Sequence, residues 1–276
     1  MAASAATPLR PRVTVPPRKL LQLPLKAPDI ALDSLLEDCN GLLMSMPQQK
    51  LVFDYLKGCS SSTPPAEFAS LRHDLSAYIH KPPIDFVEIN EAERLEADIY
   101  FKWKADLSQK LSLEDIKRVN AKITGGDGEL RRTRAYLASN DGSPFIPMVD
   151  WHEAQRRLRQ VPILFQEGEL GQGLLAATRI LALINNAHAF PDGNGRLGRF
   201  LFNLCLHRSG MPSSSYIPLK SLAILAHGGY EIRFREVVLF GRWDGLISYH
   251  CNVIRLVHQM GALAITLRKG SGAYVQ

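Results

Sequence analysis

The chain has 276 residues, of which 46% are hydrophobic and 22% are charged. This length and composition suit one domain with an extension, or two small domains, with a buried core. The four cysteines form no CxxC pair, which argues against a zinc ribbon or a redox motif. The net charge of +6 is partly local, because residues 1–28 carry five basic residues and no acidic one. We therefore expect a solvated basic surface, with neither a nucleic-acid nor a membrane partner.

The N-terminal part of the sequence divides into a leader and a helical extension. Residues 1–28 are rich in Ala, Ser, Pro and Arg, which is typical of a disordered leader. Helical periodicity begins at residue 29 and predicts an N-terminal helical extension over 29–84, with a Ser/Pro-rich linker at 58–65. Its apolar face is formed by Leu32, Leu35, Leu36, Cys39, Leu42, Leu43 and Met46.

The middle of the sequence is helical, with one break. Helices are predicted at 88–110 and 113–124. Residues 125–147 interrupt the pattern, and the Asp141-Gly142 pair between strand-like residues predicts a short β-hairpin. Asp150 begins a further helix, with Glu153 placed as in a capping box. The predicted fold is mainly α, with one small hairpin and a C-terminal tail at 263–276.

A short loop lies between two strongly apolar helices, predicted at 174–185 and 197–207. Both helices have too many apolar residues for one exposed face, so we place them in the core. The loop between them reads His188-Ala189-Phe190-Pro191-Asp192-Gly193-Asn194-Gly195-Arg196, and Arg199 follows one turn later. Because buried helices fix both of its ends, the loop is expected to be rigid.

This loop is suited to binding phosphate groups. Gly193 and Gly195 permit backbone conformations closed to other residues and let a ligand approach the main chain. The loop leads into a helix N-terminus, where exposed N–H groups and the helix dipole attract anions. Asn194 adds a side-chain donor. Arg196 and Arg199 lie three residues apart and add guanidinium groups, which suit bidentate phosphate contacts.

Two further side chains of the loop carry chemistry. Asp192 is the one carboxylate in this cationic segment, and its expected partner is a Mg²⁺ ion that bridges phosphates. His188 stands at the opening of the loop and is expected to act as a general base near neutral pH. Phe190 is expected to point into the core as the anchor of the loop. The segment is not a Walker loop, because the GxxxxGK[ST] string is absent.

The segment resembles the signature of the Fic family, HPFx[D/E]GN[G/K]RxxR. Every specified position agrees except Ala189, where the family usually has Pro. The resemblance extends more weakly to the hairpin before the signature, to Phe202-Asn203-Leu204 and to Gly229-Tyr230. It implies a Fic-fold helical bundle, with a Fic domain at about 85–262.

The resemblance also implies a reaction. His188 would take the proton from a Ser, Thr or Tyr hydroxyl of a target protein. That hydroxyl would attack the α-phosphate of the co-substrate ATP, and pyrophosphate would leave. Asp192 would hold Mg²⁺ on the α- and β-phosphates. The phosphate ligands implied are the Gly193–Gly195 amides, Asn194, Arg196 for the β-phosphate and Arg199 for the γ-phosphate.

The identity of Gly195 bears on the kind of group transferred. Family members that act as kinases carry Lys at this position, so Gly195 favours nucleotidyl transfer. We therefore expect an AMP transferase whose target docks on the hairpin flap, at about 132–147, by strand addition. Transfer of UMP or another phosphate-linked group stays open, because the signature does not reveal the base. A nucleotide-binding interaction module that transfers nothing stays open as well.

Many Fic proteins carry an inhibitory helix with the motif [S/T]xxxE[G/N], whose Glu pairs with the second arginine of the signature, here Arg199. No segment of this chain fits that motif. We therefore expect an enzyme without built-in inhibition, or one restrained by a separate inhibitor protein. A degenerate inhibitory helix within 29–110 would overturn this expectation. We place the enzyme in the cytoplasm or, if it is a delivered effector, in the cytosol of another cell.

Overall fold

The computed structural model describes six stretches of the chain: 30–59, 64–72, 86–107, 110–137, 146–168 and 172–270. The predicted leader at 1–28, most of the link between the N-terminal helices and the rest, and the tip of the predicted hairpin lie outside these residues. The described α-helices are α1 (Ile30–Leu43), α2 (Gln49–Lys57), α3 (Phe86–Leu107), α4 (Leu113–Thr124), α5 (Trp151–Leu158), α6 (Val161–Glu167), α7 (Gly173–Ala187), α8 (Asn194–Arg208), α9 (Leu219–Leu225), α10 (Gly229–Phe240) and α11 (Asp244–Gly270). A short 3₁₀ helix spans Ala66–Ser70.

Helices α7 and α8 form the centre of the molecule. Within α7, every residue except Asn185 is buried. The two helices approach each other closely at Gly198, where an added Cβ would lie 2.8 Å from Leu181 Cδ1. The prediction that both helices run through the core is confirmed. Both ends of the signature loop are therefore fixed by close-packed elements.

The N-terminal helices belong to the same core. Helix α1 packs against α11 and α7, and α2 packs against α11 and α3. Leu43 and Val52 are fully buried in a cluster that also contains the side chains of α7 and α8. The chain turns between α1 and α2 at Pro47, on which Gly261 of α11 packs closely. Helices α1 and α2 therefore pack as part of the helical body, and the predicted boundary of the extension at residue 84 lies outside the described residues.

Helices α3 and α4 are formed where the sequence predicts helices. Helix α4 begins with a capping box, in which Ser112 Oγ accepts from the Asp115 N–H and Asp115 accepts from the Ser112 N–H. It ends at Gly125, whose φ of 72° is in the left-handed region. At the start of α5, Asp150 accepts from the His152 N–H, but Glu153 does not complete the predicted box.

The predicted start of the C-terminal tail differs from the structure, and the predicted hairpin is described only in part. Helix α11 continues to Gly270, so the predicted tail at 263–276 begins as helix. Strands β1 (Tyr136–Leu137) and β2 (Ile146–Pro147) pair antiparallel, with Tyr136 opposite Pro147. The residues that join these strands lie outside the described residues, so the hairpin flap remains a prediction. No helix among the described residues is both long and apolar enough to cross a membrane.

The role of α1 in the core can be tested with a neighbouring pair of residues. Leu43→Ala is expected to lower the free energy of unfolding by about 2–5 kcal/mol, because Leu43 is fully buried and its truncation leaves a cavity. Met44→Ala is the matched control, since Met44 is 72% exposed, and should change stability by less than about 0.5 kcal/mol. Urea unfolding of the full chain measures both. Equal effects of the two substitutions would contradict the described packing.

Candidate active site

The signature loop begins and ends with residues in the left-handed region. His188 caps α7 with a φ of 48°, and its N–H donates to the Ile184 carbonyl over 2.9 Å. Gly193 precedes α8 with a φ of 79°. A non-glycine residue such as His188 holds this conformation only where its surroundings enforce it. The half-buried His188 is therefore fixed in direction by the backbone around it.

The interior of the loop is anchored in the core. Phe190 is fully buried, which confirms its predicted role as anchor, and Ala189 beside it is also buried. Asn194 is 2% exposed and holds the loop closed: its Nδ2 donates to the Phe190 carbonyl over 2.8 Å, and its Oδ1 accepts from the Phe190 N–H over 3.0 Å. Both polar atoms of the side chain are thus engaged. The Asn194 side chain therefore has a structural role in the loop, and the phosphate contact expected of it stays a prediction.

Helix α4 packs directly against the signature loop. Asn120 Nδ2 donates to the Asp192 carbonyl over 3.1 Å. A Cβ added at Gly193 would lie 2.5 Å from Thr124 Cγ2 and 2.8 Å from Asn120 Nδ2. Glycine is therefore required at this position by close packing as well as by its positive φ. No local sequence pattern indicates this contact, because Asn120 lies 72 residues before Asp192.

A buried arginine connects the loop to the segments around the strands. Arg131 is 4% exposed, and its guanidinium donates to the carbonyls of His188 (2.6 Å), Thr133 (2.8 Å) and Val149 (2.6 Å). Its backbone N–H donates to the Ala189 carbonyl over 2.9 Å. No described carboxylate lies within salt-bridge distance of it. Burial lowers the pKa of Arg131, and Asp150 partly offsets this effect. Sequence reasoning did not single out Arg131.

Asp192 lies at the open side of the loop, where its side chain is 76% exposed. Its Oδ1 accepts from the Gly193 N–H over 2.6 Å, and its Oδ2 accepts from Arg196 Nη2 over 2.7 Å. The Gly193 N–H and the Arg196 guanidinium hold the pKa of Asp192 below its usual value. The carboxylate is therefore ionised at neutral pH. Arg196 is itself positioned by the end of α4, since Nη1 donates to the Ile123 carbonyl over 3.0 Å.

These residues fit a Mg²⁺ ion that arrives with a nucleotide. Asp192 supplies an exposed, ionised carboxylate beside a helix N-terminus, which is the hard oxygen donor that Mg²⁺ takes. Among the described residues there is no cluster of three or more metal-ligating side chains. One protein carboxylate does not hold Mg²⁺ by itself, so the phosphate oxygens and water would complete its coordination.

Arg199 is engaged by α3. Its guanidinium makes a bidentate contact with Glu96, at 3.0 Å from Nε to Oε2 and 2.7 Å from Nη2 to Oε1. Glu93 lies on the same helix, 3.8 Å from Arg199 Nε. Burial lowers the pKa of Arg199, but the Glu96 and Glu93 carboxylates outweigh burial and raise it. Arg196 therefore contacts the loop and the end of α4, whereas Arg199 contacts α3.

Glu93 links three helices. It is fully buried, and it accepts from the Lys220 N–H, the Ser221 N–H and Ser221 Oγ, each over 2.7 Å. These hydrogen bonds give partners to backbone N–H groups in the first turn of α9, which have none within the helix. Burial raises the pKa of Glu93, while Arg199 and the hydrogen bonds from α9 favour its ionised form. The position of α3, which also carries Glu96, is thereby fixed against α8 and α9.

The Glu96 contact bears on one expectation from the sequence. We expected an enzyme without built-in inhibition, or one restrained by a separate inhibitor protein, because no segment fits the motif whose Glu pairs with the second arginine of the signature. The structure places Glu96 there, in a helix within 29–110, so a carboxylate of this chain does pair with Arg199. The motif search missed Glu96 because it tested a local pattern, whereas the pairing depends on how α3 packs against α8.

Tyr230 lies near the C-terminal end of α7, which leads into the signature loop. Its hydroxyl accepts from Asn185 Nδ2 over 2.8 Å, one turn before His188. The ring stacks on Phe234, with centroids 5.9 Å apart. The half-buried Tyr230 therefore packs against the core and also contacts the end of α7 that leads into the signature loop.

Comparison with known proteins agrees with the signature. Residues 110–206 match the model of the Fic/DOC family, a stretch that runs from before α4 to α8 and includes the whole loop. The chain therefore contains a region similar to the Fic/DOC domain, at residues 110–206. It is 29% identical over 142 residues to a protein adenylyltransferase, fic-1, of Caenorhabditis briggsae. That similarity covers 45% of this chain and 25% of the relative, so the chain spans about a quarter of the length of the curated relative it matches.

Solved structures show the same fold. A Fic family protein from Desulfovibrio desulfuricans G20 superposes with a TM-score of 0.56, over 90% of this chain and 77% of that one, at 13% identity. A variant of a Fic-1 fragment from C. elegans superposes with a TM-score of 0.51, over 88% of this chain and 72% of that one, at 18% identity. At these identities the likeness concerns the fold alone.

The role of Arg131 can be tested against its neighbour. Arg131→Met is expected to lower the free energy of unfolding by about 2–4 kcal/mol, because it leaves buried carbonyls of the loop without donors. Arg132→Met should change it by less than about 0.5 kcal/mol, since Arg132 is exposed. Guanidinium chloride unfolding of the full chain measures both. Equal stability of the two variants would mean that the Arg131 contacts contribute little.

Proposed function

We propose that the protein transfers AMP from ATP to a Ser, Thr or Tyr hydroxyl of another protein. The observation that carries this proposal is the signature loop, in which His188, Asp192 and the start of α8 are held together by buried helices. The similarity to an adenylyltransferase of C. briggsae supports it, although that match covers a minority of either chain.

In the proposed reaction His188 accepts the proton of the target hydroxyl. The hydroxyl oxygen forms a bond to the α-phosphorus of ATP, and the bond from that phosphorus to the bridging oxygen of the β-phosphate breaks. Pyrophosphate takes the electron pair and leaves. The fixed direction of His188, set by its contacts to Ile184 and Arg131, favours this proton transfer because a general base must lie within hydrogen-bond reach of its substrate.

The phosphates would be bound at the start of α8. The first N–H groups of a helix have no partner within the helix and attract anions. Arg196 is already next to Asp192, so the phosphates and Mg²⁺ would compete with this exposed pair. When bound, Mg²⁺ would neutralise charge on the phosphates. Arg199 would have to exchange Glu96 for the γ-phosphate before it could take the role implied by the family.

Intact-mass spectrometry of the full chain tests the proposed transfer. The protein is incubated with Mg²⁺ and, in turn, ATP, UTP, CTP and GTP, together with the His188→Ala variant. We expect a mass gain of one AMP with ATP, which the variant lacks, because loss of a general base costs roughly 10²- to 10⁴-fold in rate. Removing Mg²⁺ with EDTA should also abolish the gain.

The other outcomes of this experiment separate the alternatives. A gain with UTP in place of ATP would replace AMP transfer by UMP transfer. Binding of nucleotide without any mass gain, either on the protein itself or on proteins of a cell extract, would contradict the enzyme and favour a nucleotide-binding interaction module. A gain that persists in His188→Ala would rule out His188 as the base.

The contact between Glu96 and Arg199 predicts a restraint on ATP binding. Glu96→Gln is expected to raise the rate of AMP incorporation by roughly 5- to 10-fold, because the neutral amide competes less for the guanidinium than a carboxylate does. Glu91→Gln is the matched control, since Glu91 lies on the exposed side of α3 and contacts Arg94. Quantitative labelling with ATP labelled in its α-phosphate measures both rates. Equal rates in the two variants would exclude this restraint.

A further inference from the structure

The segment between α4 and β1 is fixed next to the proposed catalytic base. The Arg131 guanidinium donates to the His188 carbonyl, and the Arg131 N–H donates to the Ala189 carbonyl. Gln155 Nε2 of α5 donates to the Arg131 carbonyl over 3.0 Å. Arg131 is therefore held by the signature loop and by α5. The residues directly after Arg131 therefore begin at a defined position beside the signature loop.

Two arginines follow this anchor and face solvent. Arg132 and Arg134 are exposed, whereas Arg131, which precedes them in the chain, is buried. Among the described residues neither of them has a hydrogen bond or an ion pair. Tyr136 in β1 is 53% exposed, so the exposed surface continues along the chain from Arg132 to the strand. We refer to Arg132, Arg134 and Tyr136 as the arginine strip.

Described acidic residues in the segments that flank the strip in the sequence already have partners, and Asp127 accepts from the Glu129 N–H. Glu129 contacts Lys117 at 3.0 Å. Asp150 accepts from the backbone and the ring of His152. Glu153 contacts both Arg156 and Arg157. The positive charge of Arg132 and Arg134 is therefore uncompensated within the described part of the chain, and the strip begins next to Arg131, which donates to the His188 carbonyl.

We propose that the arginine strip recognises an acidic segment of the target protein, with Asp or Glu residues close to the hydroxyl that is modified. This inference rests on the proposed function, and it names the substrate class of the same site. Two positive side chains two residues apart match acidic side chains spaced along an extended peptide, in which the side chains of alternate residues face the same way. Each exposed ion pair contributes little, so the strip selects among targets and does not provide the bulk of the affinity.

Peptide binding tests this inference without relying on catalysis. The probes are three fluorescent 13-residue peptides with a central Thr, flanked on both sides by Glu, Gln or Lys, and titrated into the full chain without nucleotide. The Glu peptide is expected to bind roughly fivefold more tightly than the Gln peptide, and the Lys peptide most weakly. The preference should weaken as salt is raised from low to high concentration.

Two double variants assign the preference to the strip. Arg132→Glu with Arg134→Glu should reverse the order of the Glu and Lys peptides, and Arg132→Gln with Arg134→Gln should remove the preference. Lys50→Glu with Lys57→Glu is the matched control, because it makes the same change in net charge at exposed positions of α2. It should leave the preference as it is. Circular dichroism confirms that each variant is folded.

Three results would overturn the inference: equal binding of the Glu and Gln peptides, no binding of the Glu peptide at millimolar concentration, and a preference that survives reversal of Arg132 and Arg134. A single-stranded RNA oligonucleotide is included as a competitor. Tighter binding of RNA than of the Glu peptide, lost in the reversed variant, would assign the strip to nucleic acid and also overturn it.

The same peptides separate this inference from the proposed function. Incubation with Mg²⁺ and labelled ATP reports transfer, whereas the titration reports recognition. Binding of the Glu peptide with the expected preference, but without transfer to any peptide or to the protein itself, would support the strip and count against AMP transfer. Transfer without any charge preference would support the enzyme and overturn the acidic target.

Discussion

The packing of α7 against α8 is the constraint on which the site depends. The two helices are buried in one core and meet at Gly198, so the loop between them has fixed ends. Phe190 and Asn194 then close the loop from inside. Because of this support His188 can occupy a left-handed conformation, which a non-glycine residue in a mobile loop would leave. The arrangement is preorganised in the protein without any ligand.

A second constraint is electrostatic. Each signature arginine is neutralised by a carboxylate: Arg196 by the exposed Asp192, and Arg199 by the largely buried Glu96. The first pair is exposed and weak, so the proposed nucleotide and Mg²⁺ would displace it easily. The second pair is shielded from solvent and is supported by Glu93, which would make the proposed exchange with a phosphate more costly. In the proposed reaction, binding of the γ-phosphate at Arg199 would therefore cost more than binding of the other phosphates near Arg196.

Supporting residues come from segments far from the signature. Asn120 and Thr124 shape the back of the loop, Arg131 fixes the backbone of His188, and Glu93 holds α3 against α9. The N-terminal helices add to the same body through α11 and α7. A chain beginning after them would expose the faces of α11 and α7 that they cover. The site is consequently a property of the whole helical body.

The sequence by itself determined the helices of the core, the loop between α7 and α8, and the chemical character of His188, Asp192 and the two arginines. Those features depend on local spacing: helical periodicity for α3, α4, α7 and α8, and a nine-residue string for the loop. Only the tertiary structure decided that Asn194 closes the loop, that Arg131 anchors it and that Glu96 meets Arg199. Each of these contacts depends on which side chain a packed neighbour presents, and no local pattern encodes that. Glu96 and Arg199 are 103 residues apart in the chain, and they meet because α3 is packed against α8.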